Sequence, residues 1–306
     1  MKNTSHSSGF TLVEIAIVLT IIGVMLGSGI LALTGALNDI RYRTTRDRLN
    51  GVANALALYA QQNYFLPCPA VPPDNNGMTT GIDPGTCYGA ASPRGIVPYV
   101  ALGLTAEQVR DSYGNFFTYV VNPLLATNNV QTNATAQSQV HDSCRINNGI
   151  WITASSLNKN QRKALFCCMA RNAVSDTVVN NGVVGPVALS PTRSIANRGA
   201  VNGASAVTVP ANTASQTAAF ILISHGKNGF GAYRPSSPPA RYADPSGLLY
   251  RQNEIANADD ADNIYVSSPY SVNTDETVRS YFDDIVIWRT QDQLIGAFGR
   301  DSCARP

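Results

Sequence analysis

Gly9-Phe10-Thr11-Leu12-Val13-Glu14 leads into a run from Ile15 to Leu37 that contains no charged residue. About 20 apolar residues in a helix span a bilayer, so the run predicts a membrane-spanning helix close to the N-terminus. A secretory signal has a shorter apolar core ending in a small-residue cleavage site, and no such site follows Leu37. The helical signal continues instead. Ile40, Leu49, Val52, Leu56 and Tyr59 recur at spacings of three, four and their multiples, the mark of an amphipathic helix. The reading is one helix from about Phe10 to about Gln62, roughly 80 Å long at 1.5 Å per residue. Its first half suits lipid and its second half suits a folded domain.

Glu14 stands out in this run. A carboxylate at the head of a membrane helix is costly, and such residues are usually functional and paired. A cut after Gly9 would give Phe10 a free amine, and that amine on one subunit could neutralise Glu14 on its neighbour. The bland alternative is a shallow glutamate reaching back to the interface.

The string Gly9 to Glu14, followed by Ile21-Ile22-Gly23, resembles the prepilin cleavage and methylation motif of type IV pilins, competence pilins and the pseudopilins of type II secretion. The resemblance implies cleavage after Gly9 by prepilin peptidase, methylation of the Phe10 amine, and a role for Glu14 in docking each subunit onto a growing filament. It also implies an inner-membrane assembly platform and other pilin-like subunits as partners. Two features depart from the usual pattern. Leu31 occupies a position where many members have a kinking proline, with Gly27 and Gly29 nearby to loosen the helix. Arg41, Arg43, Arg46 and Arg48 follow the apolar run, whereas the leader offers Lys2. Taken alone, that asymmetry puts the C-terminal side in the cytoplasm. The cysteines and the N-terminal motif outweigh it and place the large domain outside.

Composition narrows the rest. The chain has 306 residues, a formal net charge of +2, 14% charged residues and 17 prolines. No basic excess points to nucleic acid. Six cysteines, Cys68, Cys87, Cys144, Cys167, Cys168 and Cys303, form no CxxC pair, and His6, His141 and His225 are scattered, so zinc is set aside. An even cysteine count beyond a membrane anchor reads as disulfides in an oxidising compartment, with buried free thiols as the alternative. Cys68 and Cys87 flank a loop and are the preferred pair. Adjacent Cys167 and Cys168 are poorly placed to bond each other; one of them could take Cys144 and the other Cys303, and spacing alone does not fix the connectivity.

Asn63 to Pro98 is broken by prolines. Beyond it, Phe116–Val121, Ile150–Thr153, Ala219–Ser224, Ile285–Trp288 and Leu294–Phe298 are candidate strands, and Asn158–Asn172 reads as a helix. Ala126–Gln139 and Ile195–Ala218 read as surface loops, as does the Pro- and Ser-rich Arg234–Pro245. An antiparallel sheet of this kind needs a cover for its apolar face, and the amphipathic half of the first helix supplies one. The expected fold is α+β and pilin-like: residues 1–9 a leader, 10–37 the membrane and assembly helix, 38–62 its amphipathic half, and 63–306 a disulfide-bonded periplasmic or extracellular domain.

Asp111-Ser112-Tyr113-Gly114-Asn115 resembles the Asp-Pro-Trp-Gly-Asn element of major pseudopilins. Ser224-His225-Gly226-Lys227-Asn228-Gly229 is similar to their Ser-Tyr-Gly-Ala-Asp-Gly loop, and Asp283-Asp284-Ile285 to the Asp-Ile after it. That family binds calcium in this loop, which implies Asn228, Asp283 and Asp284 as matching positions; calcium takes six to eight oxygens. The acidic run Glu254 to Asp262 is a second source of oxygens. No other cofactor is implied. Ser224-His225 with Asp283 or Asp284 invites a hydrolase reading, but GxSxG, GxGxxG and P-loop patterns are missing, so an enzyme is not expected. The reading is a minor or accessory subunit of a type IV pilus or type II secretion pseudopilus, with an adhesin-like tip subunit recognising a surface, glycan or DNA as the alternative.

Overall fold

The computed structural model describes residues 11–70, 94–126, 163, 166–167, 179–180, 183–184, 193–197, 216–235, 241–242, 252–258, 264–267, 270, 281–290, 293–294 and 296. Gly9, Phe10, Cys87, Cys144, Cys168, Cys303 and the candidate strand Ile150–Thr153 lie outside them. By internal contacts the chain divides into two units, Met1–Thr44 and Thr45–Pro306.

Helix α1, Leu12–Asn63, begins in the first unit. Thr11 and Glu14 form a reciprocal cap at its start. The Thr11 amide and hydroxyl donate to Glu14 Oε2 at 2.8 and 2.9 Å, and the Glu14 amide reaches Thr11 Oγ1 at 3.3 Å. The sequence Thr-x-x-Glu is that of a capping box, which satisfies amides a helix start leaves unpaired. The apolar side chains that follow are exposed: Leu12 is 87% and Val24 69% accessible. Among the described residues no helix is long and apolar enough to cross a membrane; within the uncharged run Ile15–Leu37, the side chains of residues 26–34 lie outside the description. Arg43 pairs with Asp39 at 3.0 Å on an exposed face, an arrangement worth about 0.5 kcal/mol or less.

In the second unit α1 buries Thr45, Leu49, Val52, Ala53, Leu56 and Ala60. This stripe differs from the expected one. Ile40 is 58% exposed and Tyr59 half-buried, while two alanines carry part of the contact. Alanine registers weakly in a hydrophobic pattern, yet it permits close approach. The helix stops because Tyr64 takes a left-handed conformation, φ 60°, with its amide still bonded to Ala60 O at 2.7 Å. That is the usual manner of a helix C-terminus, although a non-glycine residue pays some strain there.

The sheet is built from β1 (Arg94–Ile96), β2 (Thr118–Val121), β5 (Arg193–Asn197), β6 (Gln216–Ser224), β7 (Ile264–Ser267) and β8 (Ile285–Thr290). β3 (Val179–Asn180) and β4 (Val183–Val184) form a separate two-stranded ladder. The order is β1-β2-β6-β5-β7, with β8 also on β6. All pairs are antiparallel except β5 with β7, which run parallel. β6 is central, and Ala218 through Ile223 are fully buried, as an unbroken apolar run predicts. Val120, Ala218, Ile221, Ile223 and Tyr265 form a core against which Val286 and Trp288 pack. Short helices α2 (Pro123–Ala126) and α3 (Gln252–Ala258) and a 3-10 turn at Ala106–Val109 complete the described elements. The architecture is α+β, an N-terminal helix with a mainly antiparallel sheet.

Two sequence expectations are corrected. Gln293, Leu294 and Gly296 are helical rather than extended. The cause is a second capping box: the Thr290 amide donates to Gln293 Oε1 at 3.1 Å and the Gln293 amide to Thr290 Oγ1 at 3.2 Å. The loop read over Ile195–Ala218 is strand at both ends, 193–197 and 216–224, because the two ends pair with each other and 194–197 also pair with β7, partners that local composition does not disclose. Lys163, Phe166 and Cys167 are helical within the helix expected over 158–172.

Candidate functional site

The three motif segments, far apart in sequence, meet at one end of the β6–β8 pair. Register places Ser224 opposite Ile285, so the turn after β6 lies against the residues entering β8. Gly226 is at φ +58°, and a Cβ there would collide with the Asp283 carbonyl and carboxyl. Glycine is therefore required by both backbone conformation and close approach.

Asp111 closes its own loop. Its Oδ1 accepts from the amides of Tyr113 and Asn115, both at 2.9 Å. Its Oδ2 accepts from the Ser224 hydroxyl at 3.1 Å. Burial raises its pKa to about 6 against the opposing pull of these bonds. The same loop holds α1: Thr45 Oγ1 donates to Ser112 Oγ at 3.0 Å and accepts from the Ser112 amide at 3.1 Å, and Arg48 donates to the Arg110 carbonyl at 3.1 Å.

Beyond Ser224 lies a buried acidic cluster. Glu254, Asp283 and Asp284 are 1%, 0% and 4% exposed, and each offers an oxygen within 4.8 Å of the others. Asp283 Oδ2 accepts from the Asn228 amide and the Tyr281 hydroxyl, both at 3.0 Å. The Asp283 amide donates to Glu254 Oε1 at 3.3 Å. Asn228 turns its side-chain nitrogen to both Glu254 oxygens at 3.1 Å, while its Oδ1 accepts from the Phe230 amide at 3.0 Å. Asn228 thus orients Glu254. Asp284 Oδ2 accepts from Asn257 Nδ2 at 2.8 Å, and Asn257 is itself clamped to Val266 on β7 and accepts at its carbonyl from Arg94.

The electrostatics are unfavourable for three charges. Burial pushes the carboxyl of Asp283 up. Asp284 is pushed well up, first by burial and then by the charges of Glu254 and Asp283. His225 does not compensate. Burial, then Arg94 and Arg241, holds its imidazole well below the usual range and neutral. His225 Nε2 lies 3.0 Å from Thr118 Oγ1, whereas its buried Nδ1 has no hydrogen-bond partner and sits 3.9 Å from Asp284 Oδ1. Ser224 and His225 therefore have separate partners, Asp111 and Thr118, and are not joined as a nucleophile and base.

Asp283 Oδ1 is also buried without a hydrogen-bond partner. An orphaned carboxylate oxygen, an all-carboxylate donor set and a 4.8 Å spread fit a hard divalent cation; oxygens on opposite sides of calcium stand about 5 Å apart. Sequence reasoning reached Asp283, Asp284 and Asn228 through local motifs. Glu254 it noted merely as the head of an acidic run, since nothing local ties α3 to β8. Cys68 and Cys167 are each disulfide-bonded.

No curated protein and no solved structure matches the chain. Residues 4–30 match the prokaryotic N-terminal methylation motif. That motif, at the head of the long helix α1, supports a type IV pilin-like or pseudopilin family for this chain.

Proposed function

We propose that the chain is a minor or accessory subunit of a type IV pilus or type II secretion pseudopilus. The observation that carries this reading is the methylation motif over residues 4–30, with Glu14 inside it. Prepilin peptidase cuts after Gly9 and methylates Phe10. The uncharged run Ile15–Leu37 then holds the subunit in the inner membrane, with its domain in the periplasm, until assembly. In the filament the Phe10 amine of one subunit neutralises Glu14 of another; alone, each charge would be costly in an apolar core. Among the described residues Glu14 is exposed and hydrogen-bonded to Thr11, which leaves its carboxylate at the surface of the helix start. The six cysteines form a disulfide framework suited to the same compartment.

Mass spectrometry of the native N-terminus tests the processing: the expected species begins with N-methyl-Phe10, and an intact Met1 overturns the reading. Glu14→Ala is expected to be cleaved normally but to stay out of sheared filaments, and wild-type incorporation would remove the pairing.

Calcium is the proposed cofactor. Glu254, Asp283 and Asp284 hold it, and Asn228 and Asn257 orient them. Bound there, it would supply positive charge to the buried carboxylates of Glu254, Asp283 and Asp284. Its expected signature is a rise in Tm on adding calcium chloride to chelated protein; an unchanged Tm counts against the site.

A further inference from the structure

Four arginines just past the uncharged run have no part in cleavage or docking. Arg41, Arg43, Arg46 and Arg48 are four of the chain's 22 lysines and arginines, gathered within 41–48 of 306 residues. An even spread would put fewer than one there. Asp39 and Asp47 are the acids beside them, so positive charge stays in excess. On the periplasmic side of a span this clustering works against the topology, since lysine and arginine next to a span favour the cytoplasm. The Asn, Ser, Thr and Gln that the chain uses elsewhere would solvate a helix face without that cost.

The membrane sets which arginines it meets. At 1.5 Å per residue, Ile15–Leu37 covers about 35 Å, enough for about 30 Å of hydrocarbon. The headgroup layer beyond it is about 5–8 Å deep. Arg41 and Arg43 follow Leu37 by about 6 and 9 Å along the helix, so their long side chains reach that layer. Both are exposed. Beside them Leu37 and Ile40 are 43% and 58% exposed, and Tyr42 is half-buried. Apolar side chains adjoining a tyrosine and basic residues suit a membrane–water interface. Arg43 holds Asp39 at 3.0 Å with both side chains largely exposed. Such a pair is weak, so it yields to a phosphodiester, on which a guanidinium places two parallel N–H bonds. Arg48, by contrast, is tied to the fold through the Arg110 carbonyl.

We infer that Arg41 and Arg43 bind the phosphate of an anionic phospholipid in the periplasmic leaflet and fix the depth of the subunit before it leaves the membrane. The inference rests on the membrane-anchor reading of α1 and adds a lipid partner to it. Charge complementarity selects the occupant. A second copy of this stretch brings the same excess of arginine over acid, whereas an anionic lipid surface supplies the missing sign. A zwitterionic headgroup offers a phosphate too, but its own ammonium offsets it.

The test uses the full mature chain. Flotation with phosphatidylcholine vesicles shows whether α1 anchors; a chain that does not float overturns the anchor and this inference with it. Native mass spectrometry in detergent then compares added phosphatidylglycerol with phosphatidylcholine. Wild type is expected to prefer phosphatidylglycerol. The double variant Arg41→Gln, Arg43→Gln should lower that preference by roughly fivefold per arginine. Gln has nearly the helix propensity of Arg and both positions are exposed, so the helical circular dichroism should not change. Arg46→Gln, nine positions past Leu37, should shift the preference by less than about twofold, because the pull of a charged surface fades with distance. A larger loss there than in the double variant places the site elsewhere and overturns the inference. Added inorganic phosphate should leave the lipid bound; release by it means a free-phosphate site and overturns the lipid partner. Equal binding of the two lipids by wild type overturns the inference and leaves the anchor in place. If the double variant keeps the lipid preference but drops out of sheared filaments, the arginines serve subunit contacts and the lipid site is wrong.

Discussion

Asp111 carries a charge that the fold does not favour. Burial lifts its pKa from 3.8 to about 6, so folding is favoured where it is protonated. Its contribution is complete below about pH 4, is lost as pH rises through about 6, and is absent above that. Asp111→Asn keeps an oxygen for the amides of Tyr113 and Asn115 and offers an N–H to Ser224. Relative to wild type it should gain roughly 2–3 kcal/mol between pH 4 and pH 7, read from paired melts in urea across that range. A stability difference that stays constant with pH refutes the assignment. The motif Asp-x-x-x-Asn was visible in the sequence. Its bond to Ser224 was not, since 113 positions separate the two residues.

At the scale of elements, α1 shows how far periodicity reaches. Leu49, Val52 and Leu56 were legible as a stripe and are buried. Ala53 and Ala60 join them because close helix packing admits small side chains. Leu58 is 57% exposed while Leu56 is fully buried. Leu56→Ala should therefore cost about 2–5 kcal/mol, and Leu58→Ala should lie within roughly 0.5 kcal/mol of wild type, both by chemical denaturation of the mature protein. Equal costs would mean that the helix face is misassigned. The helical turn after Thr290 illustrates the opposite limit. Leu294–Phe298 reads as a strand by its apolar content, yet the Thr290–Gln293 capping box turns the chain into a helix, a signal present in the sequence and outweighed by hydrophobicity in the reading.

For the molecule as a whole, the cysteines and the N-terminus address the same question of compartment. Cys68 and Cys167 are disulfide-bonded. If all six cysteines are paired, alkylation of the unreduced, denatured mature protein adds no mass, and reduction exposes six reactive thiols. A thiol that reacts before reduction breaks the proposed framework. The sequence by itself determined how this protein begins. Cleavage motif, uninterrupted apolar run and helical period are all local, so residues near one another suffice to state them. It also determined the α+β class, because strand and helix periods differ. The tertiary structure alone decided the acidic cluster: Glu254 meets Asp283 and Asp284 because β6 and β8 pair, joining residues as far apart as Ala218 and Thr290, and α3 packs with β7. Burial then sets these carboxylates apart from ordinary solvated ones, and burial is a property of the folded chain.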